Sequence, residues 1–351
     1  MTPSQRPAPH AAATETLADL GEWELIRRLG VYSTPGRFSD DAALLQPPAG
    51  QALVVNTDVL VEGVHFSDAT TAPADVGWRA AAANLSDLAA MGCTGCLGIT
   101  VGLTAPGSTA WSWVDGVYGG MATALQAYGG ELLGGDCSSG LQRQLAVTAL
   151  GAVDPARPIR RSDGQPGDLL VASGPHGLSR LGLALLLGEL NSTERSRIPA
   201  ALQARAVEAH QRPRPRFDVV RALHRSQPEG SGWRVGGTDS SDGLMAAATA
   251  IAIASGCRAA LTRSQLPRDA AMAGIHLAET WCLAGGEDFE LVLALEPAWA
   301  VAICQELPDC QIVGALEAPD QAKAGPVVWQ DSGQAIAPEL SGYSHFQSLH
   351  S

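Results

Sequence analysis

The sequence predicts a mixed α/β fold (α+β) in two domains, and three observations support this. Its 351 residues are too many for one average domain of about 150 residues. Segments with apolar residues at helical spacing alternate with short apolar runs typical of strands. Residues 155–167 are rich in Pro, Arg and Gly, a composition typical of a linker. We therefore expect a flexible tail over 1–16, an N-terminal domain over 17–155 and a C-terminal domain over 156–351.

The N-terminal half begins with a predicted helix. Apolar residues recur at helical spacing from Leu17 to Leu29, and Gly30 follows as a stop signal. Pro73 begins a longer predicted helix, which Gly92 ends. The other predicted elements of this half are strands over 41–45, 51–58, 97–103, 131–136 and 143–153, and a helix over 108–128.

The C-terminal half predicts further strands and helices around a basic stretch. Its predicted elements are a strand over 168–173, a helix over 178–187, a Gly-rich turn over 236–242, a helix over 243–255 and a strand over 290–295. Arg212-Pro-Arg-Pro-Arg216 forms a local basic patch. A solvated turn is the commoner role for such a run, and anion binding is the alternative.

Charge and composition exclude several classes of protein. The formal net charge of −13 disfavours binding to nucleic acids and to anionic membranes. Lys323 is the single lysine, so a P-loop lysine is absent. The signatures of serine hydrolases and protein kinases are absent as well.

Cysteine usage and hydropathy bear on location. Seven cysteines without the spacing of a disulfide scaffold favour a reducing compartment, so we expect a cytoplasmic protein. Residues 1–15 lack the apolar segment of a secretory signal, and the most apolar later run, Leu244 to Ala254, is too short to span a bilayer. We therefore expect no membrane association.

Three segments place an acidic residue just after paired glycines, at 134–136, 236–239 and 285–288, with Thr238 intervening in the second. Glycine permits close backbone approach, and the acid beside it can hold a cation that also binds phosphate oxygens. Taken singly, each acid has an ordinary structural explanation; Asp242, for example, is a natural N-cap for the following helix. The recurrence nevertheless indicates one shared site.

Asp87 lies in an apolar predicted helix, where an unpaired carboxylate costs several kcal/mol. A bound metal or an Arg distant in sequence would compensate it, and Asn84 lies one turn earlier on the same face. Oxygen donors of this kind favour Mg²⁺ over zinc.

Cys93-Thr-Gly-Cys96 is a lone CxxC without a second pair to complete a zinc site. Metal-assisted phosphoryl transfer is the chemistry that remains.

The motifs, taken together and in order, resemble those of the thiamine-monophosphate kinase family, within the superfamily that includes aminoimidazole ribonucleotide synthetase and selenophosphate synthetase. The matching segments are Ser39-Asp-Asp-Ala-Ala-Leu44, Asn56-Thr-Asp-Val-Leu-Val-Glu-Gly-Val-His-Phe66, Asn84-Leu-Ser-Asp-Leu-Ala-Ala-Met-Gly92, Gly134-Gly-Asp136, Ser241-Asp-Gly-Leu244, Gly285-Gly-Glu-Asp-Phe-Glu-Leu291 and Gly342-Tyr-Ser-His-Phe346.

The resemblance implies an N-terminal domain whose strands pair across a homodimer into a β-barrel, with a C-terminal α/β domain beside it. It also implies phosphorylation of thiamine monophosphate to thiamine diphosphate by ATP and several Mg²⁺ ions. The implied magnesium ligands are Asp41, Asn56, Thr57, Asp58, Asp87, Asp136, Asp239 and Asp242. The implied ATP contacts are Tyr118, Gly135, Arg161 and Ser241, and the implied contacts to the thiamine phosphate are His65, Glu287 and Tyr343.

The sequence departs from the family pattern at three places. Asn56 stands where Ser or Thr precedes Thr57-Asp58, Ser39 stands where Gly precedes the Asp pair, and Cys137-Ser138 replaces Thr-Thr. Because Asn still offers a carbonyl ligand, we expect an adjusted site rather than a lost one.

The resemblance and the residues agree on a mechanism without a catalytic base. A phosphate monoester has a second pKa of about 6, so this acceptor is largely dianionic at neutral pH. The remaining difficulty is repulsion between two polyanions, which bound Mg²⁺ ions relieve while they align the acceptor for in-line attack.

Three other kinds of protein are alternatives to the kinase. Selenophosphate synthetase shares the Asp motifs but uses an N-terminal Cys or selenocysteine followed by Lys, and here the first Cys is Cys93. A sensor that binds nucleotide and Mg²⁺ without turnover is a second alternative, which Asn56 keeps open. A purely structural protein is the least favoured, because buried carboxylates would then only destabilise it.

Overall fold

In the computed structural model, the described part of the chain comprises residues 14–38, 40–319, 325–337, 340 and 342. Two separate β-sheets organise it: a four-stranded sheet in the order β1-β4-β2-β3 and a six-stranded sheet in the order β10-β7-β9-β5-β8-β6. The mixed α/β fold in two domains predicted from the sequence is confirmed. The predicted boundary near residue 155 falls between the last strand of the first sheet and the first strand of the second.

The first sheet carries two long helices on one face. Its elements are α1 (Leu17–Leu29), β1 (Ala52–Val61), α2 (Pro73–Ala90), β2 (Cys96–Ala105), α3 (Trp111–Tyr128), β3 (Leu132–Ser139) and β4 (Gln144–Val153). Side chains alternate along β4, so Leu145, Val147 and Ala149 are fully buried beneath the helices. The opposite face exposes Leu53, Val55 and Val59 of β1.

The second sheet lies among the remaining helices. Its elements are β5 (Leu169–Ala172), α4 (Leu178–Leu187), α5 (Ser192–Arg197), α6 (Ala200–Gln211), α7 (Phe217–Ser226), β6 (Gly236–Asp239), α8 (Leu244–Ala254), β7 (Arg258–Leu261), α9 (Ala278–Ala284), β8 (Leu291–Leu295), α10 (Pro297–Glu306), β9 (Gln311–Glu317) and β10 (Val327–Trp329). Strands β5, β6 and β8 are almost wholly buried, as expected for a sheet covered on both faces. Within the described ranges, no helix is both long and apolar enough to cross a bilayer.

Most predicted elements appear within a few residues of their predicted bounds, but two predictions are wrong. Residues 41–45 form no strand; Asp41 is exposed, and no described strand pairs with this segment. The turn predicted over 236–242 begins as the buried strand β6, which pairs with β8. The glycines there reflect close packing rather than a turn, because a Cβ on Gly236 would lie 2.8 Å from the Gly164 nitrogen.

Helices α2 and α3 cross at two glycines. A Cβ on Gly77 would lie 1.8 Å from the Val117 carbonyl oxygen, and one on Gly120 would lie 1.9 Å from the Ala74 carbonyl oxygen. Only glycine therefore permits this approach. The contact holds α2 at a fixed depth against the sheet, and α2 carries several of the predicted site residues.

The basic patch over 212–216 is neutralised within the protein. Arg212 pairs with Asp75 at 2.5 Å and lies over the Trp78 ring. Arg216 is largely buried and forms an ion pair with Glu290. These ion pairs attach the basic patch to α2 through Asp75 and to the residue before β8, Glu290. The patch is therefore not a solvated turn at Arg216.

Candidate active site

A group of acidic residues lies where α2 passes between the two sheets. Asn56 and Asp58 alternate with Thr57 along β1, so both face α2. The Asn56 side-chain nitrogen donates to Asp87 Oδ2 at 2.9 Å and to Asn84 Oδ1 at 3.1 Å, and the Asp58 amide donates to the same Asn84 oxygen at 3.1 Å. One turn of α2 and one strand face thus present Asp58 and Asp87 together.

Asp239 joins this group from the second sheet. It ends β6, is nearly inaccessible to solvent, and accepts a hydrogen bond of 2.7 Å from Ser86 of α2. Arg161 lies close by, where its Nε donates to Thr238 Oγ1 at 3.1 Å. The acidic cluster, defined here as Asp58, Asp87 and Asp239, is therefore assembled from both domains.

The acidic cluster is electrostatically unfavourable without a cation. Burial, followed by the charges of Asp239 and Asp58, raises the pKa of Asp87 to about 7 against the opposing effects of Asn56 and Arg161. Burial is also the main cause that raises the pKa of Asp239, to about 6. Burial and the charge of Asp242 raise the pKa of Asp58. Such mutual repulsion is typical of a site that binds a divalent ion.

The donors fit a hard cation. Asn56 Oδ1 is buried and has no hydrogen-bond partner in the described structure, so it is available as a neutral oxygen ligand beside the acidic cluster. No three His, Cys, Asp or Glu side chains of the described ranges already enclose a metal position. Amide and carboxylate oxygens together suit magnesium better than zinc.

Two other predicted magnesium ligands lie on the opposite face of the first sheet. Thr57 faces away from α2, and its hydroxyl is 2.8 Å from that of Thr148 on β4. Asp136 lies on β3, the strand at the far edge of the sheet, where it is in register with Gly102 of β2. Three strand spacings of about 4.8 Å separate β1 from β3, so about 14 Å of sheet lies between Asp58 and Asp136.

A cavity of about 470 Å³ at the edge of β3 gathers four predicted residues. Asp41, Asp136, Tyr118 and Gly135 all line it. A Cβ on Gly135 would lie 1.9 Å from the Val101 carbonyl oxygen, so a side chain there would push β3 off β2. Two of the residues predicted to bind ATP, Tyr118 and Gly135, are therefore neighbours of two predicted to bind magnesium, Asp41 and Asp136.

A second cavity, of about 730 Å³, opens between the two domains. Its lining includes five predicted residues: Asp58, His65, Ser241, Asp242 and Glu287. His65 Nδ1 accepts a hydrogen bond of 3.1 Å from the Val61 amide, which fixes the orientation of its ring. Residues predicted for magnesium, ATP and substrate therefore meet in this interdomain cavity.

Sequence reasoning missed three residues at the interdomain cavity. Arg79 and Arg180 line it, and His210 lies behind them against Arg79. Arg180 stacks on the Trp281 ring with 5.6 Å between its guanidinium carbon and the ring centroid. Arg79, set in the apolar stretch of α2, was a detectable signal because a buried charge needs a partner. Tyr343 lies outside the described residues, as does Ser39.

The CxxC segment has no role in either cavity. Cys93 and Cys96 are both buried, and burial raises the pKa of each thiol to about 12. A thiol of that kind is not a reactive nucleophile at neutral pH.

Comparison with known proteins identifies the family. The family of AIR synthase related proteins matches over both halves, its N-terminal domain at residues 39–153 and its C-terminal domain at 165–325. The chain is 47% identical over 335 residues to the thiamine-monophosphate kinase of Prochlorococcus marinus, covering 95% of this chain and 98% of that one. It is 50% identical over 302 residues to that of Synechococcus elongatus, covering 86% and 90%. The chain belongs to the thiamine-monophosphate kinase family.

A solved structure of this kinase family shares the architecture. The structure described as AaThiL complexed with AMPPCP and TMP superposes with a TM-score of 0.71 at 28% identity, covering 95% of this chain and 100% of that one. The family resemblance predicted from the motifs is confirmed, and the chain is an enzyme of this kinase family. The two-domain arrangement that carries both cavities is therefore the arrangement of the family.

Proposed function

We propose that the chain transfers the terminal phosphoryl group of ATP to thiamine monophosphate, which yields ADP and thiamine diphosphate. Its relatives are named for this reaction, and one related structure holds AMPPCP and TMP. The observation that carries the proposal is the acidic cluster, which stands beside a cavity lined by His65 and Glu287. An acidic cluster whose Asp58 lines a substrate-sized cavity suits a reaction between two phosphate groups.

Two groups of residues would hold Mg²⁺. The first comprises Asn56, Asp58, Asp87, Asp239 and Asp242 beside the interdomain cavity. The second comprises Asp41 and Asp136 at the edge of β3, and Thr57, on the other face of β1, is predicted as a further ligand apart from both groups. Bound magnesium would neutralise the facing phosphates and orient them for in-line displacement.

The protein side chains then bind and orient the reactants. We assign Tyr118 and Gly135 to ATP at the edge of β3, and Arg161 and Ser241 to its phosphates. A planar guanidinium such as that of Arg161 suits phosphate oxygens. His65, Glu287 and Tyr343 are assigned to thiamine monophosphate. No general base is required, since the acceptor is already largely dianionic.

The exposed face of the first sheet supports a homodimer. Val55 is 56% exposed and Val59 is 47% exposed, and both lie on the face that no helix covers. A row of exposed aliphatic side chains on a sheet is typical of a protein interface. We infer that this face pairs with that of a second copy to close the β-barrel.

The absence of disulfides among the seven cysteines supports a cytoplasmic location.

The test is turnover by the purified protein with ATP, Mg²⁺ and thiamine monophosphate, followed as thiamine diphosphate formed. Reactions with thiamine, without acceptor, and with excess chelator are the controls. We expect product only with the monophosphate and only with free Mg²⁺. Binding of ATP and Mg²⁺ without any diphosphate would instead support the nucleotide-binding sensor and overturn the proposal.

A further inference from the structure

Glu287 stands in an unusual backbone conformation at the interdomain cavity. Its φ is +59°, a region that side-chain-bearing residues rarely adopt, and Phe289 follows with φ +53°. The Glu287 amide donates to the Ser241 carbonyl oxygen at 2.6 Å. The backbone therefore sets the direction in which the Glu287 side chain leaves the main chain. A partner is still needed to hold its carboxylate in one position.

Arg79 is that partner. Its Nη2 lies 2.5 Å from Glu287 Oε1 and also donates to the His65 carbonyl oxygen at 3.2 Å. Its Nη1 donates to the His210 carbonyl oxygen. The Arg79 side chain is only 4% exposed. One buried guanidinium therefore joins α2, the loop after β1, α6 and the Glu287 segment.

Other cations do not duplicate this contact. His210 Nδ1 lies 3.5 Å from Glu287 Oε2, but burial, followed by the charges of Arg79 and Arg180, lowers the pKa of His210 to about 3. The ring is therefore neutral at physiological pH. Arg180 also lines the cavity but pairs with Glu189 at 2.6 Å. Arg79 is thus the charged contact of Glu287 in the described structure.

We propose that Arg79 is a positioning residue for the acceptor substrate: it holds the Glu287 carboxylate at the cavity wall. The inference rests on the proposed function, in which Glu287 contacts thiamine monophosphate. It does not require Arg79 to touch either substrate. Loss of Arg79 therefore weakens acceptor binding through Glu287 and leaves ATP binding unchanged.

The test compares Arg79→Met and Arg79→Lys with the wild type in steady-state kinetics. We expect Arg79→Met to raise the KM for thiamine monophosphate at least about tenfold and to leave the KM for ATP within about twofold, because the partly buried Glu287 carboxylate loses its charged partner. Lysine restores the positive charge but not the planar guanidinium with its several N–H donors. We therefore expect Arg79→Lys to raise the KM for thiamine monophosphate less than Arg79→Met does. Arg212→Met, which removes an Arg paired with Asp75 on the same helix, is the matched control and leaves both KM values unchanged.

A double-mutant cycle separates positioning from general damage to the fold. In a Glu287→Gln background, Arg79→Met is expected to have no further effect on the KM for thiamine monophosphate. An equal effect in both backgrounds would overturn the inference. So would a parallel rise in both KM values for Arg79→Met and Arg79→Lys. A wild-type protein that forms no thiamine diphosphate would overturn the proposed function and this inference with it.

A separate observation concerns two cysteines outside both cavities. Cys304 on α10 and Cys310 before β9 lie with their sulfur atoms 3.4 Å apart. Cys304 is half-buried and Cys310 is buried. Sulfurs at contact distance across a short turn need little movement to bond. Cys93 and Cys96 of the CxxC segment do not form a comparable pair in the described structure. The thiol of Cys96 is directed to the Leu150 carbonyl oxygen instead.

We infer that Cys304 and Cys310 are a site of reversible disulfide formation by hydroperoxides. The Cys304 thiolate attacks one oxygen of hydrogen peroxide, which breaks the O–O bond; the hydroxide that leaves takes up a proton to become water, and Cys304 becomes a sulfenic acid. The Cys310 thiol then attacks the sulfenic sulfur, and a second water leaves as the disulfide forms. A thiol reductant reverses the reaction by exchange.

Peptide mapping tests this site directly. Mild hydrogen peroxide is applied to the folded protein, free thiols are alkylated, and a protease that cleaves after Glu cuts at Glu306, between the two cysteines. We expect the flanking peptides 291–306 and 307–317 to remain joined until a reductant is added, since the Glu296–Pro297 bond is not cut. The link is expected to be lost in Cys304→Ser and in Cys310→Ser. Oxidation without a link between these peptides, or a link first at Cys93 and Cys96, would overturn the inference.

Discussion

Among single residues, Asp58 illustrates how a site residue can work against the fold. Its carboxylate is half-buried, and both desolvation and the nearby charge of Asp242 raise its pKa. The ionised form is therefore less favourable in the metal-free protein than in water. The same charge is useful once a divalent ion stands beside it. Function, rather than stability, explains an acid at this position.

We predict that Asp58→Asn lowers turnover at least about 100-fold, which corresponds to about 2.7 kcal/mol of transition-state stabilisation. The metal-free variant is expected to unfold at the same temperature as the wild type or above it, because a repelled charge is removed. Steady-state assays and thermal unfolding without Mg²⁺ measure the two effects. Asp154→Asn, at an exposed turn, is the control. Near-normal turnover of Asp58→Asn at saturating Mg²⁺ would contradict the assignment.

Residue types in the sequence were sufficient to nominate Asp58 and Asp87, because apolar surroundings and an oxygen-rich pattern are local properties. The partner of Glu287 could not be predicted in this way. Arg79 is 208 positions away in the chain, and nothing in either local segment indicates the pairing. The sequence also suggested a metal or a distant Arg near Asp87, and Arg161 lies close enough to lower its pKa.

Among elements, the crossing of α2 on α3 sets the depth of the site. The helices approach through Gly77 and Gly120, and α2 then brings Asn84 and Asp87 against β1. A larger residue at the crossing would separate the helices, because packed interiors have no space to absorb a methyl group. The position of the acidic cluster therefore depends on a contact about two turns away along α2.

Neighbouring glycines of α3 provide a matched test. Gly120→Ala is expected to destabilise the protein by about 1–3 kcal/mol, since its Cβ would overlap the Ala74 carbonyl oxygen. Gly119→Ala meets its nearest atom, on Tyr32, at 3.8 Å and is expected to be neutral or stabilising by up to about 1 kcal/mol. Urea unfolding of both variants measures the difference. Equal stabilities would show that the crossing tolerates a methyl group.

The start of α4 depends on a buried acid from a distant segment. Asp288 Oδ2 accepts from the Gly177 amide at 2.7 Å and Oδ1 from the Ser179 amide at 3.1 Å. These bonds lower the pKa of Asp288, but burial has the larger effect and raises the pKa to about 7. Because the folded pKa exceeds the ordinary 3.8, this group favours folding at low pH, and that contribution is lost as the pH rises through about 7.

We therefore predict a shallower pH dependence of stability for Asp288→Asn. Between pH 3.8 and about 7, wild-type stability is expected to fall relative to that of the variant, with a slope of up to about 1.4 kcal/mol per pH unit. Acids that do not interact with Asp288 titrate alike in both proteins, so their contributions cancel in the difference. Chemical unfolding across this range measures it, and parallel curves would contradict the assignment.

For the whole molecule, the arrangement of the predicted site residues favours more than one copy of the chain. Asn56 and Asp58 face α2, whereas Thr57 and Asp136 lie on the opposite face of the same sheet. One chain therefore divides the proposed magnesium ligands between two places. The face that carries Thr57 and Asp136 also exposes Val55 and Val59, and it is the surface that we assign to the dimer.

We predict that the wild type behaves in solution as a dimer, at twice its mass of 36.3 kDa, and that Val55→Glu shifts it to the monomer. A charge at the centre of an apolar interface must be desolvated without a partner, which disfavours association. Ile253→Glu, at a 66% exposed position on α8, is the matched control and leaves the mass unchanged. Size-exclusion chromatography with light scattering measures the mass. A dimeric Val55→Glu variant would place the interface elsewhere.

The sequence by itself determined the order of most helices and strands, the candidate acids and the family, because periodicity, caps and motifs are properties of neighbouring residues. Tertiary structure alone decided which face of the sheet each acid occupies, that Arg79 meets Glu287, and that Cys304 touches Cys310. It also turned a Gly-rich segment into the buried strand β6. These outcomes depend on strand register and helix crossing, which arise from packing between segments far apart in the chain.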